Sequence, residues 1–220
     1  MPNRNSNAIE TTLSEIPGLN EHFIYFNDDF FLTQPAKWTD FFTWGGKPYI
    51  PTDTTTAEPM VNNTAQPILR LKLPKIPMTA FKKGWIHAPH ARLKSMATKF
   101  QNEYSDYIKW VQGTQSRKRN GCDICVQHDL KCPCQQQHHL LDHYMYTKNR
   151  AIPKEPGSST YITRVHIQKN TNIFKNFMQS PTKYLCINDT TNISPSAKLH
   201  IDNFFETYYP EKPLFETVGI

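Results

Sequence analysis

Apolar positions along the chain alternate between short unbroken runs and helical stripes, and the two patterns predict different elements. A short helix is expected from Ala8 to Ile16, stopped by Pro17-Gly18. Phe23-Ile24-Tyr25-Phe26 is a continuous apolar run bounded by polar residues. It predicts a strand buried on both faces, as in a parallel or mixed α/β sheet. Leu93, Met96, Ala97, Phe100, Tyr104, Tyr107, Ile108 and Val111 recur at helical spacing and predict an amphipathic helix from Ala91 to Val111. His138 to Tyr146 reads as a further helix, and Tyr161 to Ile167 alternates as a strand does. Tyr184-Leu185-Cys186-Ile187 repeats the short buried-strand pattern. Ser194-Pro195 then supplies a helix start, a capping Ser followed by a first-turn Pro. Between Gln34 and Gly84 the chain is proline-rich, with short strands expected at Tyr49-Ile50 and Ile68 to Leu73. The fold class this predicts is α/β: a mixed, largely parallel sheet with flanking helices and Pro-rich loops.

Composition narrows the function. The 220 residues carry 13 Phe, 10 Tyr and 4 Trp, enough apolar material for a core, so wholesale disorder is excluded. One domain over residues 1–220 is the expectation for this length. Lys and Arg number 25 against 19 Asp and Glu, a net charge of +6 that suits an anionic ligand. The charge is too dispersed for a nucleic-acid surface, its densest run being Arg117-Lys118-Arg119. Neither GxGxxG nor GxxxxGK[ST] occurs. No apolar run reaches the roughly 20 residues of a membrane-spanning helix, and the N-terminus does not read as a signal peptide. A cytoplasmic place is therefore expected.

Four groups of residues carry chemistry. The apolar strands end in Asn27-Asp28-Asp29 and in Asn188-Asp189. Carboxylates at strand ends can hold Mg²⁺ or Mn²⁺ at a diphosphate or act as bases, or they simply form turns. His87-Ala88-Pro89-His90 can present imidazoles to a phosphate or move a proton, or cap a helix. Arg119 with Asp123 can grip phosphate oxygens, or be an exposed turn. Cys122, Cys125, Cys132 and Cys134 have thiolate spacings that can hold structural Zn²⁺, or are incidental to a loop insertion covering about residues 122–139.

Taken in order, these motifs resemble the Stealth family of sugar-phosphate transferases. The family's second block is similar to Asn5-Ser6-Asn7-Ala8-Ile9-Glu10, Ile16-Pro17-Gly18-Leu19 and Phe23 through Phe31. Its third is similar to His87-Ala88-Pro89-His90, then Ser116, Arg119 and Asp123, closing with His143-Tyr144 and Arg150-Ala151-Ile152-Pro153. Its fourth is similar to Cys186-Ile187-Asn188-Asp189, followed by Phe204-Phe205, Tyr209-Pro210 and Phe215-Glu216. A first block, a strand of the type I-D-x-V-Y-T-W-V, is not found here, and the cysteine-rich stretch departs from the family pattern.

The resemblance implies a sheet of the nucleotide-sugar-transferase type and transfer of a hexose-1-phosphate from a UDP-sugar to a saccharide hydroxyl. UMP is released, in capsule or surface-polysaccharide synthesis. It implies catalytic roles for Glu10, Asp29, His87, Arg119 and Asp189 around one phosphate-sized hollow. Asn5, Ser6, Asn27, Asp28, His90, Asp123 and Asn188 would bind substrate, with Mg²⁺ or Mn²⁺ on Asp29 and Asp189. Proton removal is expected from His87 or a carboxylate. The partners expected are the donor, the acceptor, a polypeptide supplying the first block, and a peripheral position at the inner membrane. Two rivals accompany this reading: an incomplete Stealth module serving as a partner subunit, and a zinc-stapled binding domain.

Overall fold

The computed structural model describes residues 6–52, 88–113, 137–154, 159–163, 167–188 and 193–211. The chain packs as two compact units, residues 1–27 with 37–156 and residues 28–36 with 157–220.

The first unit opens with a short helix, α1 (Ser6–Glu10), and a 3-10 turn at Leu13–Glu15. Strand β1 (His22–Tyr25) pairs antiparallel with β4 (His90–Leu93), Tyr25 lying opposite His90. Between them come helix α2 (Trp38–Phe41) and strand β3 (Tyr49–Pro51); β3 runs parallel to β5 (Ile152–Lys154). Three helices fill the unit: α3 (Lys94–Glu103), α4 (Ser105–Gln112) and α5 (Gln137–Thr147). Their apolar stripes meet in one core that includes Phe100, Tyr107, Val111, Leu140, Tyr144 and Met145, closed by Ala8 of α1 and Leu93 of β4. The Glu21 carboxylate accepts from the backbone and hydroxyl of Ser95, which satisfies the start of α3 and ties it to β1.

The second unit is a three-stranded sheet, β2 (Phe30–Leu32), β7 (Tyr184–Asn188) and β6 (Ser159–Thr163), in that order across the sheet. β2–β7 is antiparallel and β6–β7 parallel. Helices α6 (Ile167–Gln179) and α7 (Pro195–Tyr208) pack together, burying Phe174, Phe177 and Phe204 with Leu185 and Ile187 of the sheet. The Ser194 hydroxyl accepts from the Ala197 N–H at 3.2 Å, and Pro195 opens the helix, as the sequence led one to expect.

The α/β class stands. The described strands form three small sheets with two parallel and two antiparallel pairings. Two expectations change. The run at Phe23–Phe26 is half-buried to exposed and sits in an antiparallel ribbon. Strand β4, His-Ala-Arg-Leu, is by contrast buried on every residue. The expected helix from Ala91 starts only at Lys94 and is broken at Tyr104, whose φ/ψ of −122° and 37° leave the helical region. The Tyr104 ring sits against Phe100 and Tyr144. A third changes as well: the strand expected over Tyr161 to Ile167 lies at Ser159–Thr163, and Ile167 already opens helix α6. Strands β2 and β5 and helix α2 had no sequence expectation. Among the described residues no helix is long and apolar enough to cross a membrane.

Candidate active site

Helix α1 is turned against its own hydropathy. Asn7 and Glu10 face inward, while Ile9 is 46% exposed. Amphipathic packing would put Ile9 inside, so the inward polar pair needs partners. For Glu10 the partner comes from β4. In a strand, residues two apart share a face, so His90 and Arg92 point the same way. Arg92 Nη2 donates to Glu10 Oε2 at 2.9 Å, both side chains 1% exposed. Asp142 of α5 stands on the other side. Its Oδ1 lies 3.9 Å from Arg92 Nε, and its Oδ2 lies 2.8 Å from His90 Nδ1. The Arg92 guanidinium also covers the Tyr25 ring, 4.8 Å from its centre. His143, next to Asp142, is buried as well.

One guanidinium thus faces two carboxylates, one of which also holds an imidazole, in a dehydrated setting. Taking three charged groups from water costs several kcal/mol each, and an apolar replacement of like shape is often as stable. Stability alone does not account for the cluster, whereas a site that holds charged groups in fixed geometry does. Around it, Gln101 and Gln112 donate to the backbone oxygen and the hydroxyl of Thr11, which pins the end of α1.

The second unit carries the other acidic motif. Asp28 and Asp29 form a turn that leads into β2. Register pairs Phe30 with Cys186, so this turn lies beside the β7 end that carries Ile187 and Asn188; the Ile187 N–H donates to the Asp29 carbonyl at 3.0 Å. The Asp28-Asp29 turn is therefore set beside the β7 end by antiparallel pairing rather than by parallel strands. Cys186 Sγ donates to Asp29 Oδ2 at 3.3 Å. Burial first, and the Asp29 and Asp28 carboxylates second, push this thiol well above its usual range and keep it a neutral donor. Asp29 Oδ1 is buried and has no hydrogen-bond partner among the described residues. A hard oxygen without a donor fits a ligand of Mg²⁺ or Mn²⁺. No three His, Cys, Asp or Glu side chains cluster as a metal site among the described residues.

Of the expected site residues, Glu10 and His90 meet in the first unit, and Ser6 opens the helix that bears Glu10. In the second, Asp28 and Asp29 form the turn before β2 and Asn188 is the last residue of the neighbouring strand β7; Asn27 immediately precedes the acidic turn in the sequence. Asn5, His87, Arg119, Asp123, Asp189, Cys122, Cys125, Cys132 and Cys134 lie outside the described residues. Arg92 and Asp142 were missed by sequence reasoning. Both had a signal: Arg92 sits two residues after His90, and Asp142 is the acidic residue of the otherwise apolar Leu140-Leu141 turn.

Comparison with known proteins agrees with the motifs. Residues 1–50 match Stealth protein CR2, conserved region 2. An exopolysaccharide phosphotransferase of Streptomyces coelicolor is 28% identical over 98% of this chain and 36% of its own length. The exopolysaccharide phosphotransferase CpsY of Mycobacterium tuberculosis is 26% identical over 100% of this chain and 41% of its own. The capsular polysaccharide phosphotransferase SacB of Neisseria meningitidis serogroup A is 26% identical over 98% and 40%. The chain thus spans less than half the length of these relatives. The resemblance to the Stealth family holds.

Proposed function

We propose that this Stealth-type chain carries the catalytic machinery of a polysaccharide phosphotransferase, moving a hexose-1-phosphate from a UDP-sugar to a saccharide hydroxyl. The observation that carries the reading is the buried Glu10–Arg92–Asp142–His90 cluster, built from two of the family's motif residues, Glu10 and His90, in a chain whose relatives are named phosphotransferases. In the reaction the acceptor oxygen attacks the β-phosphorus of the donor. The bond from that phosphorus to the bridging oxygen breaks, UMP leaves, and a phosphodiester joins the two sugars. The acceptor proton goes to His90, which the structure describes with its carboxylate partner. Glu10 and Arg92 keep the cluster rigid, so that little reorganisation is needed as charge develops. Asp29, through its unpartnered Oδ1, and Asp189 would hold Mg²⁺ or Mn²⁺, which would supply neutralisation of the diphosphate charge. The nucleotide-sugar-transferase sheet belongs to the same reading, supported by the parallel β6–β7 pair. So does a place in capsule or exopolysaccharide synthesis.

The test is nucleotide release. UDP-hexoses and N-acetylhexosamines are incubated with oligosaccharide acceptors and Mn²⁺ or Mg²⁺. UMP and a phosphodiester-linked product are expected. Release of UDP would show attack at the anomeric carbon and refute the reading, as would no turnover of any donor.

A further inference from the structure

We propose that Asp142 is a positioning residue for proton transfer, fixing the His90 imidazole with its proton on Nδ1 and its lone pair on Nε2. The proposal rests on the reaction just given for its purpose, and on the geometry alone for its structure. The contact between His90 Nδ1 and Asp142 Oδ2 is 2.8 Å long, with the two side chains 4% and 1% exposed. An ionised carboxylate only accepts, so the shared proton sits on the nitrogen. Arg92 Nε stands 3.9 Å from the other Asp142 oxygen, so the carboxylate faces a fixed cation on that side. The neutral ring has one N–H, so Nε2 holds the lone pair and is the atom that can take a proton. Once it does, Asp142 stabilises the imidazolium, as the carboxylate of a Ser-His-Asp triad does.

The elements leave the ring little freedom to turn. Tyr25 of β1 stands opposite His90 in the ladder, and the Tyr25 ring lies against the Arg92 guanidinium. Arg92 is in turn held by Glu10 of α1. Among the described residues, the titratable and charged groups in this cluster besides His90 are Glu10 on α1, Tyr25 on β1, Arg92 on β4 and Asp142 on α5. The hydrogen bond of Asp142 among the described residues is to His90, beside the longer 3.9 Å approach of Arg92 Nε, and Asp142 lies in a helix whose neighbouring positions Leu140, Leu141, Tyr144 and Met145 are core residues. A carboxylate in that stretch is explained by the imidazole it orients.

The experiment is nitrogen-15 NMR of the full chain, specifically labelled at histidine, with His90→Gln to assign the signal. In the unmutated protein the protonated nitrogen of His90 is expected at Nδ1. In Asp142→Asn the side-chain amide can donate to Nδ1, and the proton is expected to move to Nε2. Turnover of that variant should fall by about 10²–10⁴-fold in kcat, with a smaller change in donor KM. Asp142→Glu, which keeps the acceptor, should recover part of the loss, and the residual Asp142→Asn rate should rise with pH as hydroxide replaces the base. Nε2–H in the unmutated protein overturns the proposal, and that measurement needs no variant to fold. Full turnover of Asp142→Asn with an unmoved proton overturns it too. If the unmutated chain holds Nδ1–H yet turns over no UDP-sugar, the positioning geometry stands and the transferase reading fails.

Discussion

At the scale of single residues, the cluster around Arg92 makes a strong demand. Its guanidinium is the cation between two carboxylates, each on a side chain 1% exposed. Arg92→Met fills the volume and leaves both carboxylates in a low-dielectric setting. The expected loss is about 3–5 kcal/mol of stability, the usual result of removing one partner of a buried pair. Adding Glu10→Gln to Arg92→Met should recover part of it, since one stranded charge is neutralised. Thermal or denaturant unfolding of the two variants checks the order; equal stabilities would show that the pair is not coupled. Tyr144, nearby in the same core, makes a pH prediction. Burial first, and the Glu103 carboxylate second, raise its phenol well above the usual value of about 10. In the folded chain the phenol stays protonated where the unfolded chain ionises. The unfolded state then binds fewer protons, so stability is full below pH of about 10 and falls as pH rises above it. The melting temperature should drop more steeply above that pH in the native sequence than in Tyr144→Phe. Parallel curves would contradict the assignment.

At the scale of elements, the sequence was clearest where one local rule acts alone. Helix α7 is the plain case. Ser194 and Pro195 specify its start, and Ile201, Phe204, Phe205 and Tyr208 give one apolar face, which packs on Phe174, Phe177 and Phe31. Ser194→Ala removes the hydroxyl that accepts from the Ala197 N–H and should cost about 1 kcal/mol. Ser194→Asp should cost little, because the carboxylate accepts the same hydrogen bond; equal losses in the two variants would show that the cap contributes nothing. Strand β4 is the opposite case. Two of its four residues, His90 and Arg92, are polar, and both are buried because α1 and α5 supply their partners. Hydropathy cannot report a burial that depends on partners more than forty residues away, so the stretch was absorbed into the following helix. The Phe23–Phe26 run failed in the other direction. A short apolar run does not say how many strands will flank it, and its pairing here is a ribbon with one face partly open. Motif resemblance found Glu10 and His90 but passed over Arg92 and Asp142, whose roles appear only once α1, β4 and α5 are brought together.

At the scale of the molecule, chain order and spatial order differ. Residues 28–36 belong to the same unit as residues 157–220, while the intervening segment builds the other unit. Strand β2 is the reason. Its backbone ladder runs along β7, with Phe31 opposite Leu185, and Thr33 donates through its hydroxyl to the Thr182 carbonyl. The Tyr208 hydroxyl at the end of α7 donates to the Thr33 carbonyl at 2.6 Å, and Phe31 packs on Phe205. This unit therefore depends on a strand from far back in the chain, and closing so long a loop is an entropic cost that grows only slowly with length. A fragment of residues 157–220 keeps the parallel β6–β7 pair and both helices. It loses the antiparallel neighbour of β7, and with it the cover over Phe205 and the bonds from Thr33. A two-stranded sheet with an open central edge is marginal in water. The fragment is expected to lack the dispersed amide spectrum and cooperative melting of a folded unit. Joining residues 28–36 to it through a flexible linker should restore both, because the linker replaces a long loop by a short one without altering any contact. Leu185→Asp in the joined fragment should abolish the gain, since it places a charge where Phe31 pairs with β7. A cooperative melt from residues 157–220 alone would show that β2 is an ornament of this sheet, and the Asp28-Asp29 turn would then have to find the β7 end without the strand that aligns it.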